Sequence, residues 1–171
     1  FTVSDVGAKD YNADGSGFYH GASAADINGD GYPDIVLTDN FRAPGKNVTV
    51  LINQRTNPVT FVVDDTRVAG QSAGPYFSVE LIDIDKDGDN DIVAYGADKI
   101  DAYYQRIFIN SGNNGVFTNS NIITLPLNHS TDRKDIQHLF VNDINNDGKL
   151  DIVYLLNQFS SYRWDVLTYI Q

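Results

Sequence analysis

DIDKDGDND, residues 83–91, places five carboxylates within nine residues. Like charges this close repel one another when a chain folds around them, so the stretch calls for a compensating partner. The same phrase returns on either side of it, as DINGDGYPD at 26–34 and DINNDGKLD at 143–151. All three fit D-x-[DN]-x-D-G-x-x-D followed by Ile-Val, and their starts lie 57 and 60 residues apart. A motif returning three times at a near-constant period marks a structural repeat.

Each loop runs into an apolar, β-rich segment (DIVLT, DIVAY, DIVYLL) and then into a second one with a similar ending: VTVLINQ at 48–54, RIFINSG at 106–112 and VLTYIQ at 166–171. Gly/Asn/Pro turns follow, and then a Phe-led strand, FVVDDTRV from Phe61 and FTNSNIIT from Phe117; the chain itself opens on the same phrase, FTVSDV. Counted from these Phe residues, the chain is a single segment over 1–171 with repeats at approximately 1–60, 61–116 and 117–171. No segment holds a helical period for ten residues, so each unit reads as about four short antiparallel strands. All-β repeats of this length predict β-propeller blades. The strands before the loops (GASAAD, SVELID, HLFVND) make each acidic loop a hairpin connection.

Oxygen ligands at loop positions 1, 3, 5 and 9, with Gly at 6 for a sharp turn, suit a hard cation. Ca²⁺ accepts six to eight oxygens at about 2.3–2.6 Å in flexible geometry. The ligands expected are Asp26, Asn28, Asp30, the main-chain oxygen of Tyr32 and Asp34 in the first loop. In the second they are Asp83, Asp85, Asp87, the main-chain oxygen of Asp89 and Asp91; in the third, Asp143, Asn145, Asp147, the main-chain oxygen of Lys149 and Asp151. About three ions are expected, one per repeat. Mg²⁺ demands near-ideal octahedral geometry, and transition metals favour His or Cys, which the loops lack. An EF-hand needs an acid at position 12 and a following helix; Leu37, Ala94 and Tyr154 stand there, inside β-branched runs. Metal-free Asp/Asn/Gly turns are the plain alternative, which the threefold repetition of position 9 disfavours. DYNADGSGF at 10–18 has Asp10, Asn12, Asp14 and Gly15 but Phe18 at position 9, and reads as a turn.

The stretch SGFYHGASAADINGDGYPDIVL and its counterparts at 74–94 and 134–154 resemble the FG-GAP/VCBS repeats of integrin-like β-propellers. The resemblance covers all three units. It implies a propeller with one calcium per hairpin loop, in extracellular proteins that adhere or that bind glycans or proteins. The chain departs from the family's GAP ending, with Thr38-Asp39-Asn40 and Tyr95-Gly96-Ala97 in its place.

Net charge is −11, and eleven of the 23 acidic residues lie in the three loops. The acidity therefore belongs mainly to ion binding, and it argues against a nucleic-acid partner. No apolar run approaches the roughly 18 residues of a membrane helix, so no membrane insertion is expected. The chain has no Cys, which excludes disulfides and zinc–thiolate sites. It has no Met and begins at Phe1, which suggests a processed or excised piece. The sequons Asn47-Val48-Thr49 and Asn128-His129-Ser130 fit an exported chain. Three blades fall short of the usual four to eight and leave open edges, so neighbouring blades or self-association are expected to close the ring.

No catalytic constellation is present. His20, His129 and His138 lack metal-ligand spacing, and there is no nucleophile elbow or phosphate-cradling loop. Connections opposite the acidic loops carry Tyr19, Phe41, Arg42, Tyr76, Tyr103, Tyr162, Arg163 and Trp164. Aromatics with Arg suit stacking on sugars or anchoring a protein, against the plain alternative of packing between blades. Tyr19, Tyr76, Tyr162, Arg163 and Trp164 are the ligand-binding candidates, and Trp164 is the only Trp. The expectation is a secreted or cell-surface calcium-binding module recognising a glycan or an extracellular protein. The alternative is an ancillary or catalytic propeller part of a secreted polysaccharide-degrading enzyme.

Overall fold

The computed structural model describes residues 19–39, 47–64, 66–71, 76–99, 102–112, 114–125, 134–158 and 163–171. Among these residues eleven strands form three antiparallel sheets. The first holds β1 (Tyr19–Ala25), β2 (Asp34–Asp39), β3 (Val48–Asn53) and β4 (Phe61–Asp64) in that order. The second repeats the order with β5 (Tyr76–Ile82), β6 (Asp91–Lys99), β7 (Ala102–Phe108) and β8 (Ile122–Leu125). The third contains β9 (Lys134–Asn142), β10 (Asp151–Gln158) and β11 (Arg163–Tyr169). The one helical element among the described residues is a 3-10 turn at Asn119–Asn121. Within each sheet consecutive strands pair as neighbours, which is the meander of a propeller blade.

Each acidic loop closes the hairpin between the first two strands of its sheet, and the register is the same three times: Ala25 opposite Asp34, Ile82 opposite Asp91, Asn142 opposite Asp151. Strand side chains alternate between faces, and the middle sheet uses both. Ile92, Ala94 and Phe108 pack with Val36 and Val50 of the first sheet and with Ile27 of its acidic loop. Val93, Tyr95 and Ile107 pack with Leu139, Ile152 and Tyr154 of the third. This explains why DIVAY has no polar alternation: both of its faces are interior.

The sheets differ from the sequence reading in phase. Phe61 opens β4, which pairs with β3 and so ends the first sheet instead of beginning the second. Phe117 is not a strand residue of the same kind. It is buried between the first two sheets, bridges to Val68, and precedes the 3-10 turn that leads into β8. The repeat is real, but the blade runs from one acidic hairpin to the Phe-led strand after it.

Candidate metal centres

The three loops fold as one template. The carboxylate at position 1 turns back on the loop: Asp26 accepts N–H groups from Gly29, Asp30 and Gly31, Asp83 from Asp87 and Gly88, and Asp143 from Asp147 and Gly148, over 2.6–3.1 Å. The position-3 side chains Asn28, Asp85 and Asn145 each accept the N–H of position 5. The position-5 carboxylates Asp30, Asp87 and Asp147 accept the N–H groups of Tyr32, Asp89 and Lys149, each at 2.9 Å. Two residues per loop have positive φ. Position 6 (Gly31, Gly88, Gly148) was legible, because only Gly enters that region without cost. Position 4 (Gly29, Lys86, Asn146) was not, since a Lys gives no such signal.

Position 9 does more than end the loop. Asp34, Asp91 and Asp151 are each fully buried. In each, Oδ2 accepts the N–H of loop position 2 (Ile27 at 3.3 Å, Ile84 at 2.9 Å, Ile144 at 3.1 Å). Oδ1 accepts an N–H from the end of the third strand or the residues after it (Asn53 at 2.9 Å, Asn110 at 2.8 Å, Gln171 at 3.0 Å). One carboxylate thus ties its loop to the end of the third strand of its own sheet or the residues after it. Asn53 and Asn110 add side-chain bonds of their own: Asn53 Nδ2 to the carbonyl of Pro33, and Asn110 Nδ2 to those of Asn90 and, across sheets, Ile27. The recurring Ile-Asn of VLINQ and RIFINSG was the available signal, and its pairing with position 9 was the missed inference.

The second loop concentrates charge. One carboxylate oxygen from each of Asp83, Asp85 and Asp91 lies within 4.8 Å of the others, the one such acidic trio among the described residues. Asp87 stands outside the trio. Burial is the main reason the Asp91 carboxyl is pushed up to about 6; the N–H groups of Asn110 and Ile84 oppose the shift, and the charges of Asp85 and Asp87 add to it. Burial likewise raises Asp34 against its two N–H donors. The donor set is oxygen throughout, and a dication at the trio would favour the ionised Asp91 that burial, with the charges of Asp85 and Asp87, disfavours. These residues fit a hard cation.

The first loop differs. Arg55, itself at positive φ, donates from Nε and Nη2 to Asp30 Oδ2 at 3.0 and 2.6 Å, and its guanidinium lies 5.8 Å from the centre of the Tyr32 ring. Desolvation pushes the Asp30 carboxyl up, but hydrogen bonds from Arg55, Tyr32 and Asn28 together with the Arg55 charge hold it below the ordinary range. Between the second and third loops, Lys86 leaves its own acidic stretch and donates to the carbonyl of Gly148. In the third loop the Lys149 N–H and Asn145 hold Asp147 below the ordinary range, against desolvation and with help from the charges of Lys149 and Lys86.

The ligand-face residues separate. Tyr19 stands at the end of β1 away from the acidic loop and is 38% exposed. Arg163 and Trp164 begin β11 at the corresponding end of the third sheet, opposite Gln158 and Asn157. Tyr76 is a correction: it is fully buried in the core between the first two sheets, 6.4 Å from the Phe108 ring, and can touch no ligand. Asn47 of the first sequon is 1% exposed, so a glycan has no room there. Tyr162, Phe41, Arg42, His129, the second sequon and the 10–18 near miss lie outside the described residues. Tyr103 is described in backbone only, within β7. His20 packs edge-on against Phe77, and His138 stacks with Phe140. No helix of the described residues is long and apolar enough to cross a membrane.

Residues 26–94, from the first acidic loop through the strand after the second, match the family model of the FG-GAP-like repeat. No curated protein matches the chain.

Proposed function

We propose that this chain, an FG-GAP-like repeat protein over residues 26–94, is an extracellular β-propeller module. Its loops take about three structural Ca²⁺ ions, and the opposite ends of its strands recognise a glycan or a protein. The convergence of Asp83, Asp85 and Asp91 within 4.8 Å carries the metal reading. In the first and third loops Asn28 and Asn145 stand where Asp85 stands, so those sites carry one ligand charge fewer. A bound ion would neutralise the clustered carboxylates of each loop. The protein's own residues do the rest: the position-9 carboxylates tie the loops to the blades, and Gly31, Gly88 and Gly148 let the chain turn round the ion.

Exposed acidic loops of this kind suit the millimolar calcium outside cells, where modules bind at about 10⁻⁴–10⁻³ M. Recognition is assigned to the edge carrying Tyr19, Arg163 and Trp164, with Tyr162 beside them in sequence. Aromatic rings with Arg give stacking and anchoring contacts to sugars or protein loops. Titration calorimetry of Ca²⁺ into chelator-stripped protein is expected to show about three sites, and absence of binding at millimolar Ca²⁺ contradicts the metal reading. A glycan array probed with wild type and Trp164→Ala tests the ligand edge. Signals that Trp164→Ala leaves unchanged remove that residue from it.

A further inference from the structure

The two sheet-on-sheet contacts within the molecule use the same two kinds of face. Each sheet sends residues at loop position 2 and at even steps beyond position 9 toward the next sheet, and receives the next sheet's odd-step residues. Ile27 and Val36 go into the first contact against Ile92 and Ala94. Ile84, Val93 and Tyr95 go into the second against Ile152 and Tyr154. The residues that send from the first two sheets are at most 5% exposed.

On the third sheet the sending face is bare. Ile144, the counterpart of Ile27 and Ile84, is 46% exposed; Phe140 is 52% and Val166 67% exposed. Val153 and Leu155, the counterparts of Val93 and Tyr95, are only partly buried. The register puts all of these on one face. Phe140 pairs with Val153, while His138 and Val166 pair with Leu155. The alternate residues Leu139, Val141 and Tyr169 pack toward the second sheet.

The first sheet has a bare receiving face over β1 and β2. Ala22 and Ala24 are exposed and Ile35 and Leu37 only partly buried, whereas Val79 and Leu81, the counterparts of the two Ala in the second sheet, are at most 8% exposed, and Ile92, Ala94, Ile152 and Tyr154, the counterparts of Ile35 and Leu37, are 0–4% exposed. On β3, Leu51 and Thr49 of the same face are already buried, so the open surface is β1 and β2.

Size decides what fits between these faces. In the first contact the small Gly21 and Ser23 of β1 meet the large Val79 and Leu81 of β5; Gly21 lies so close that an added Cβ would stand 3.0 Å from the Ser78 Cα and 3.1 Å from the Val79 nitrogen. In the bare faces the order is reversed: the third sheet offers the large His138 and Phe140, and the first offers the small Ala22 and Ala24. Large against small across facing positions is how a core interdigitates. We propose that the occupant of each bare face is a second copy of this chain, docked head to tail, the third sheet of one copy on the first sheet of the other. Two such contacts close a pair in which the described residues supply six sheets, within the usual four to eight of a propeller.

The chain has no Cys, which allows a direct test. Phe140→Cys and Ala24→Cys, mixed and oxidised, are expected to form a covalent dimer that neither variant forms alone. Light scattering is expected to show wild type at twice the monomer mass and Phe140→Asp at the monomer mass, with unchanged circular dichroism. Wild type that remains monomeric up to about 100 μM overturns the proposal. Phe140→Cys that crosslinks by itself as readily as the mixture also overturns it, because that requires third sheet against third sheet.

Discussion

Replacing Asp91 by Asn tests whether the second loop holds a buried charge that only a cation relieves. In the metal-free protein Asp91 ionises at about 6, against 3.8 for the unfolded chain. Its folded pKa is raised, so its stabilising contribution is complete below 3.8 and is lost as pH rises through about 6. The full shift corresponds to about 3 kcal/mol at 1.36 kcal/mol per unit, and access of water to this surface loop reduces both the burial and the charge contributions, to the order of 1–2 kcal/mol. Asn cannot ionise, and its Oδ1 still accepts one of the two N–H groups from Ile84 and Asn110. Its amide cannot accept the other, which costs about 1–3 kcal/mol at every pH. The net change at pH 7 is therefore small, and the informative quantity is the slope. Urea unfolding of stripped wild type and Asp91→Asn, compared at pH 4 and pH 7, is expected to show wild type losing on the order of 1–2 kcal/mol relative to the variant between the two. Parallel pH dependences would refute the reasoning. Saturating Ca²⁺ should abolish the difference in slope, because a paired carboxylate has no reason to stay protonated.

Other consequences follow from single contacts. Arg55→Ala frees Asp30 Oδ2 and is expected to tighten cation binding at the first loop by several-fold in terbium luminescence titrations, whereas unchanged or weaker binding would show that Arg55 does not compete. Asp85→Asn removes the one ligand charge that distinguishes the second loop and should weaken its calcium binding in calorimetry; equal affinity would mean that ligand charge does not rank these sites. Gly21→Ala and Gly88→Ala separate crowding from conformational strain. A Cβ at Gly21 would meet Thr38 Oγ1 at 2.9 Å, whereas at Gly88 it meets nothing within 4 Å and the cost comes from φ +101° alone. Gly88→Ala should cost about 1–2 kcal/mol and Gly21→Ala more, as read by denaturant midpoints; the reverse order would undo the account of how closely β1 and β5 approach.

Much of this molecule could be read in advance because its repeats are spelled in residues with few conformational options. Asp, Asn and Gly at fixed spacing dictated hairpin loops, and β-branched runs dictated the strands on either side. What escaped depends on contacts distant in sequence. The bonds from Asp34, Asp91 and Asp151 to Asn53, Asn110 and Gln171 span about 20 residues. Arg55 reaches back 25 residues to Asp30. Tyr76 looked like a face residue because it sits at a turn, but its ring packs inward between two sheets, and only the packing shows this. The phase of the repeat escaped for a similar reason: strand pairing decides where a blade ends, and the Phe-led phrase is equally compatible with the sheet before it and the sheet after it.

The central claim is that the acidic loops are cation sites whose filling stabilises the blades. Thermal unfolding in EGTA against millimolar Ca²⁺ tests it most directly. At 10 to 100 times Kd, each site adds roughly 1.4–2.7 kcal/mol, and for a domain of this size each kcal/mol moves Tm by about 2–4 °C. Three filled sites should raise Tm by at least about 8 °C. A Tm that is the same in EGTA and in Ca²⁺ would contradict the account.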